Sequence, residues 1–265
     1  MRTNFLKYIS TLNTNFNVFL KNYQDTYLPN FNIIIHSLES IWGRLGKEKD
    51  LSGHSHVGLL PFVNLLIRHS IFGFQLIASY QSFLCWLTFR PGLEALLILG
   101  KFVDDPNNAN IWKNREADQR TYKHAFEGKK LISKILPRSA DFQQVLKRLN
   151  DNFMYPNPDF VYRDTKILDE GGHSLFLKTE YFDTVRNVEI HEAHILAFLN
   201  LLDQICYSSD QLVQSLCGPA THKQRPERPF SESAGSRASY LANRNPVSKK
   251  VMLELGLWGF EARGN

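Results

Sequence analysis

VGLLPFVNLLIRHSIFGFQLIASYQSFLCWLTFRPGLEALLILGKFV, residues 57–103, decides the fold. Its only Asp, Glu, Lys or Arg residues are Arg68, Arg90, Glu94 and Lys101, and the 18 residues Ile71–Thr88 contain none of these and no His. A run this apolar must be buried, in a membrane or in the protein's own core. Gln75, Ser79, Gln81 and Ser82 sit in its middle, and no second convincing span follows it. The reading is therefore a buried helix at the centre of a bundle, with no membrane contact expected. Pro61 suits a first helical turn, where a missing N–H is harmless. The helix should run to about Phe89, break at Arg90-Pro91-Gly92, and resume over Leu93–Phe102.

Upstream, Phe5, Ile9, Leu12, Phe16, Phe19, Leu20 and Tyr23 fall in steps of three and four, which predicts an amphipathic helix over 4–26. Pro29 should break it, and a second helix fits Phe31–Leu45. Residues 46–56 read as a polar loop. Downstream, the spacing predicts a charged surface helix over Ile111–Leu136 and a helix over Ala140–Phe153 capped by Ser139. The β-rich content of 165–168 and 174–182 around Asp169-Glu170-Gly171-Gly172 predicts one small β-hairpin. A long apolar helix follows from Val188 to about Leu216, ended by Gly218-Pro219. The expected fold is all-α: a multi-helix bundle around a buried central helix, with the hairpin before the last long helix.

The chain is 265 residues long and carries a net charge of +5. Residues 218–265 hold eight Lys/Arg against four Glu, a net +4, which leaves +1 for the first 217. This divides the chain into a helical domain, 1–217, and a basic, partly flexible tail, 218–265. In the tail, 220–246 should be a loosely packed linker and Val247–Leu257 a short helix with Met252, Leu255 and Trp258 docking back. Arg and Lys interleaved with Phe230, Tyr240 and Trp258 suit contact with single-stranded nucleic acid. Cys85 and Cys206 lie in apolar runs and behave as small hydrophobes. Three cysteines cannot all pair within one chain, so a reducing, cytoplasmic compartment is expected. MRTNFLKYISTLNTNF lacks the long apolar run of a secretory signal. No P-loop, dinucleotide fingerprint or nucleophile elbow is present, and no cofactor is expected.

Two patterns carry a resemblance. SFLCWLTFRPGLEALLILGKFVDDP, 82–106, resembles the central helix of a family of bacterial all-helical proteins known only as a domain of unknown function: Arg90, then Leu93-Glu94, then an apolar run ending near Asp-Pro. Tyr155-Pro156-Asn157-Pro158 looks like the family's His-Pro-Asn turn with Tyr for His, and Pro91 is a departure. The resemblance spans about 55–215 and implies a helical bundle without an assigned activity. Arg90 and Glu94 are four apart and share a helix face if the helix continues through Pro91. They mark a candidate polar pocket.

The second pattern is Arg186-Asn187-Val188-Glu189-Ile190-His191. It resembles the Arg-polar-x3-His motif of HEPN-type ribonucleases, which stands at the start of a helix in a small bundle. The resemblance implies metal-independent RNA cleavage by Arg186, Asn187 and His191, a defence or toxin role, and a homodimer whose interface completes the site. Histidine serves as general base or acid, and arginine stabilises charge on the phosphate. Glu189 and Glu192 should oppose a phosphate there. A metal site is the weaker reading: His191 and His194 lie at i, i+3, His54 and His56 sit in a loop, and neither HExxH nor CxxC is present. The non-enzymatic alternative is an interaction or sensor module, with an unspecified protein partner, using Arg90 and Glu94.

Overall fold

The computed structural model describes residues 5–45, 59–151, 165–169, 175–179, 182–183, 188–217 and 231–257. Among them it is a helical bundle of ten α-helices. Helices α1 (Phe5–Tyr23) and α2 (Tyr27–Gly43) meet at a turn, 24–26. Pro29 does not end α1, as expected from sequence; it sits in the first turn of α2, where its missing N–H leaves no bond unmade.

The apolar stretch forms two helices, α3 (Leu60–Ala78) and α4 (Ser82–Asp104), folded against each other. The expected break at Arg90-Pro91-Gly92 does not occur, and α4 runs through Pro91. Trp86 and Phe89 before it and Leu93, Leu96 and Leu97 after it are fully buried, so packing on both sides outweighs the proline penalty of about 3 kcal/mol. The chain instead turns at Ser79-Tyr80-Gln81. Tyr80 has φ 59°, a left-handed conformation unfavourable by roughly 1 kcal/mol or more for a residue with a Cβ. Gly92 permits the close α3–α4 approach, since a Cβ there would lie 2.9 Å from Cβ of His69.

The predicted helix over 111–136 is divided. Asp118 accepts from the backbone N–H of Thr121 (3.0 Å) and starts a new helix. Helices α5 (Asn107–Lys113) and α6 (Gln119–Phe126) are followed by a 3-10 turn, Gly128–Leu131, entered through Gly128 at φ 61°. Helix α7 covers Ser139–Leu149. Two backbone segments, β1 (Thr165–Asp169) and β2 (Leu175–Thr179), lie antiparallel with Thr165 opposite Thr179. The turn expected between them lies outside the described residues.

Helix α8 (Val188–Cys217) is the second axis of the bundle. Phe198, fully buried, meets Trp86 and Phe89 edge-on at centroid distances of 5.6 and 5.0 Å. Gly73 of α3 lies against the same ring, where a Cβ would come within 2.7 Å. Within the tail, residues 231–257 are not a loose appendage. Ser231–Arg244 is helix α9 and Pro246–Leu255 is helix α10, and both pack on α8. Ala238, Leu241 and Met252 are fully buried, and Asn200 of α8 donates to the Gly256 carbonyl at 2.5 Å. The expected linker over 220–246 is corrected for 231–244, which is helical. Ala234, Ala238, Leu241 and Ala242 form its buried face, although its composition is polar. Trp258 lies outside the described residues.

By length and composition α3 and α4 could each cross a membrane. In the bundle α4 is mostly buried, whereas α3 leaves Leu65, Ile71 and Phe72 exposed.

Candidate functional site

The polar residues of α8 converge inward. His191, Glu192 and His194 are all buried, at 1%, 5% and 2% exposure. His191 sits beneath the α3–α4 elbow. The Tyr80 ring stacks on its imidazole at 3.9 Å and 7°. The Ser82 hydroxyl donates its one proton to Asp183 Oδ2 at 2.5 Å. His191 Nδ1 lies 3.4 Å from that carboxylate oxygen and 3.4 Å from Ser82 Oγ. Both neighbours of Nδ1 are therefore acceptors towards it, which assigns the ring proton to Nδ1. Nε2 then carries the lone pair. It is buried and has no hydrogen-bond partner among the described residues, an arrangement that costs about 1–3 kcal/mol where it persists.

Asp183 also anchors the elbow. Its backbone N–H donates to the Tyr80 carbonyl (2.7 Å), and its carboxylate receives the Ser82 N–H (2.9 Å). It caps α4 from 101 residues away in sequence, in a place where Gln81 provides no side-chain cap. Burial acts to raise the Asp183 carboxyl. The hydrogen bond from His191, the nearby His194 and the Ser82 hydroxyl outweigh it and hold the group below its ordinary value.

His194 faces the same elements with the opposite polarity. The Trp86 indole N–H, a donor only, reaches His194 Nδ1 at 2.9 Å. Nδ1 must accept, so the ring proton lies on Nε2. The two histidines of the sequence-predicted pair are thus locked in different tautomers by different neighbours. Their Nδ1 atoms are both engaged by protein groups, and among the described residues no cluster of three or more His, Cys, Asp or Glu could hold a metal ion. His54 and His56 lie outside the described residues.

Glu192 belongs to a separate, saturated cluster. Arg237 of α9 binds it through Nε (2.9 Å) and Nη2 (2.5 Å), and the Tyr27 hydroxyl of α2 donates to it at 2.6 Å. Burial and the Glu192 hydrogen bond raise the Tyr27 hydroxyl well above its usual range; Tyr23 beside it is pushed up to about 12, chiefly by burial. Glu189 lies 3.5 Å from Arg244. The expectation that both glutamates oppose a phosphate is corrected, because each has an arginine partner.

Arg186 and Asn187 lie outside the described residues, as does the Tyr155-Pro156-Asn157-Pro158 turn. Arg90 and Glu94 do form an i, i+4 pair at 3.3 Å, with Arg90 Nε also donating to Asn150, the residue that follows α7, at 2.5 Å. Their side chains are 26% and 33% exposed. The pair is partly exposed at the rim of the bundle and ties α4 to the end of α7. Sequence reasoning missed Asp183, Tyr80, Ser82 and Trp86. Nothing in the sequence announces that 79–82 and 183 meet. No protein-family model, curated protein or solved structure matches the chain.

Proposed function

We propose that the protein is a HEPN-like, metal-independent ribonuclease with His191 as its general base. The observation that carries this reading is the His191 ring itself: Nδ1 held towards Asp183 and Nε2 left as an unpartnered lone pair. That is the state a base needs before it accepts a proton. In the reaction, Nε2 takes the proton of a ribose 2′-hydroxyl and the 2′-oxygen bonds to the adjacent phosphorus. The bond from phosphorus to the 5′-oxygen breaks, and the departing oxygen takes a proton from water while His191 returns its own to solvent, leaving a 2′,3′-cyclic phosphate and a 5′-hydroxyl. Arg186, five residues before His191, supplies the positive charge that the phosphorane needs, with Asn187 as its polar companion. The β1–β2 segments form a hairpin that delivers Asp183 to the elbow, and a second copy of the chain completes the site.

The second reading is a non-catalytic helical interaction or sensor module in the cytoplasm. One observation favours it: the His191 cluster is closed, and Asp183 has a sufficient structural role in capping α4.

The two readings separate in one assay. Full-length protein is incubated with single-stranded RNA in the presence of a chelator, beside His191→Asn. Under the nuclease reading the wild type yields cyclic-phosphate ends and the variant loses at least a hundredfold in rate. Equal cleavage by both proteins, or none by either, rejects His191 as a base.

A further inference from the structure

His191 is almost fully buried, so a base at this position needs an element that can move off it. The structure points to α1. We infer that α1 is a displaceable lid over His191; as a control on catalysis this rests on the nuclease reading, but as a control on access it does not.

Two segments enclose the imidazole: the elbow 79–82, through Tyr80 and Ser82, and the short stretch 182–183, through Asp183. Helix α1 lies across both. The Tyr8 hydroxyl accepts from Gln81 Nε2 at 2.8 Å, and its ring stacks on Phe182 at 5.4 Å and 26°. Asn15 Nδ2 donates to the Ser79 carbonyl at 3.5 Å. Tyr8 and Asn15 are seven residues apart, so they lie on one edge of the helix. Every one of these contacts falls on the two segments around His191.

The attachment of α1 is slight compared with that of its neighbours. Among its described side chains Phe19 alone is fully buried, against Phe74. Leu6, Ile9, Phe16 and Val18 are all at least 36% exposed. No ion pair among the described residues holds α1, while α2 is fixed through Tyr27 to Glu192 and α9 through Arg237 to the same carboxylate. Elements with few buried contacts open locally before the rest of a fold does. The turn at 24–26 provides the pivot. With α1 displaced, Ser79 and Gln81 lose their contacts to Asn15 and Tyr8, so the elbow that carries Tyr80 over His191 keeps its tie to Asp183 but loses two of its anchors and can move off the edge of His191.

The test reads accessibility and not cleavage. Diethyl pyrocarbonate labelling of each histidine is followed by peptide mass spectrometry in the wild type and in Tyr8→Ala/Asn15→Ala, with the exposed His36 and His124 as references. In the wild type, His191 is expected to react at least tenfold more slowly than His36. In the double variant its rate rises at least fivefold, while His194 stays protected. Hydrogen exchange of the unmodified protein supplies the measurement that needs no variant: amides of α1 should exchange at least tenfold faster than those of α8. The lid is overturned if His191 labels as fast as His36 in the wild type, if His191 stays protected in the variant, if His191 and His194 become reactive together, or if α1 exchanges no faster than α8. Absence of RNA cleavage with the accessibility results intact removes the nuclease reading and leaves the lid standing.

Discussion

Two acidic clusters flank the start of α8, and they are built on opposite principles. Around Glu192 every oxygen is used: two arginine N–H groups and a tyrosine hydroxyl converge at 2.5–2.9 Å and join α2, α8 and α9. Around Asp183 the contacts to His191 are long, 3.4 Å, and the ring nitrogen at the far side of that imidazole is left unused. A saturated buried network fixes the packing of helices, because losing any member strands a charge. An unsaturated one holds the fold less tightly and keeps a reactive atom in reserve. The difference lies one residue apart on one helix, in which neighbours the tertiary structure brings to each side.

The largest stability effect should come from breaking the saturated cluster. Arg237→Ala leaves the Glu192 carboxylate buried with Tyr27 alone, and a loss of about 3 kcal/mol is expected in denaturant unfolding. A loss below about 1 kcal/mol would mean that water reaches Glu192 and that the cluster is not the clamp of α9. Next is the open cluster. Asp183→Asn keeps the shape but weakens the cap on α4, for about 1–2 kcal/mol near neutral pH. The folded-state pKa of Asp183 is depressed, so its contribution is complete above the ordinary value of 3.8 and is lost as pH falls through the lower folded value. The gap between wild type and Asp183→Asn should therefore close below about pH 4. A gap that stayed constant into acid would show that the charge is not what matters. The smallest effect belongs to the pair that the sequence advertises most clearly. Glu94→Ala at the half-exposed Arg90–Glu94 bridge should change stability by no more than about 0.5 kcal/mol. A change near 2 kcal/mol would restore that pair to the interior.

Much of the helical layout was legible from residue spacing. The last long helix was expected over Val188–Leu216 and runs Val188–Cys217, because thirty residues of nearly unbroken apolar periodicity leave no other solution. Met252 and Leu255 dock as their spacing required. The misreadings share a cause. Arg90-Pro91-Gly92 has the chemistry of a helix break, yet burial on both sides overrides it. Ser79-Tyr80-Gln81 has no glycine or proline, yet the chain turns there, because His191 and Asp183 hold Tyr80 in place from more than a hundred residues away. Local propensity is a weak term, and long-range contacts decide when the two disagree. The same reason hid Ser231–Arg244: its composition reads as solvent-exposed, and its buried alanines, Leu241 and the Arg237–Glu192 pair find their neighbours only in the folded chain.

The sequence alone determined that this chain is helical, that most of the apolar stretch is packed into its helices, and that a long helix begins at Val188, just before His191. These follow from periodicity and charge, which act within a few residues of each other. Only the tertiary structure decided where the apolar stretch bends, which of two adjacent histidines keeps a free lone pair, and which carboxylate is a clamp. A tautomer or a buried charge is set by the atoms 3 Å away, and those atoms come from the opposite end of the chain.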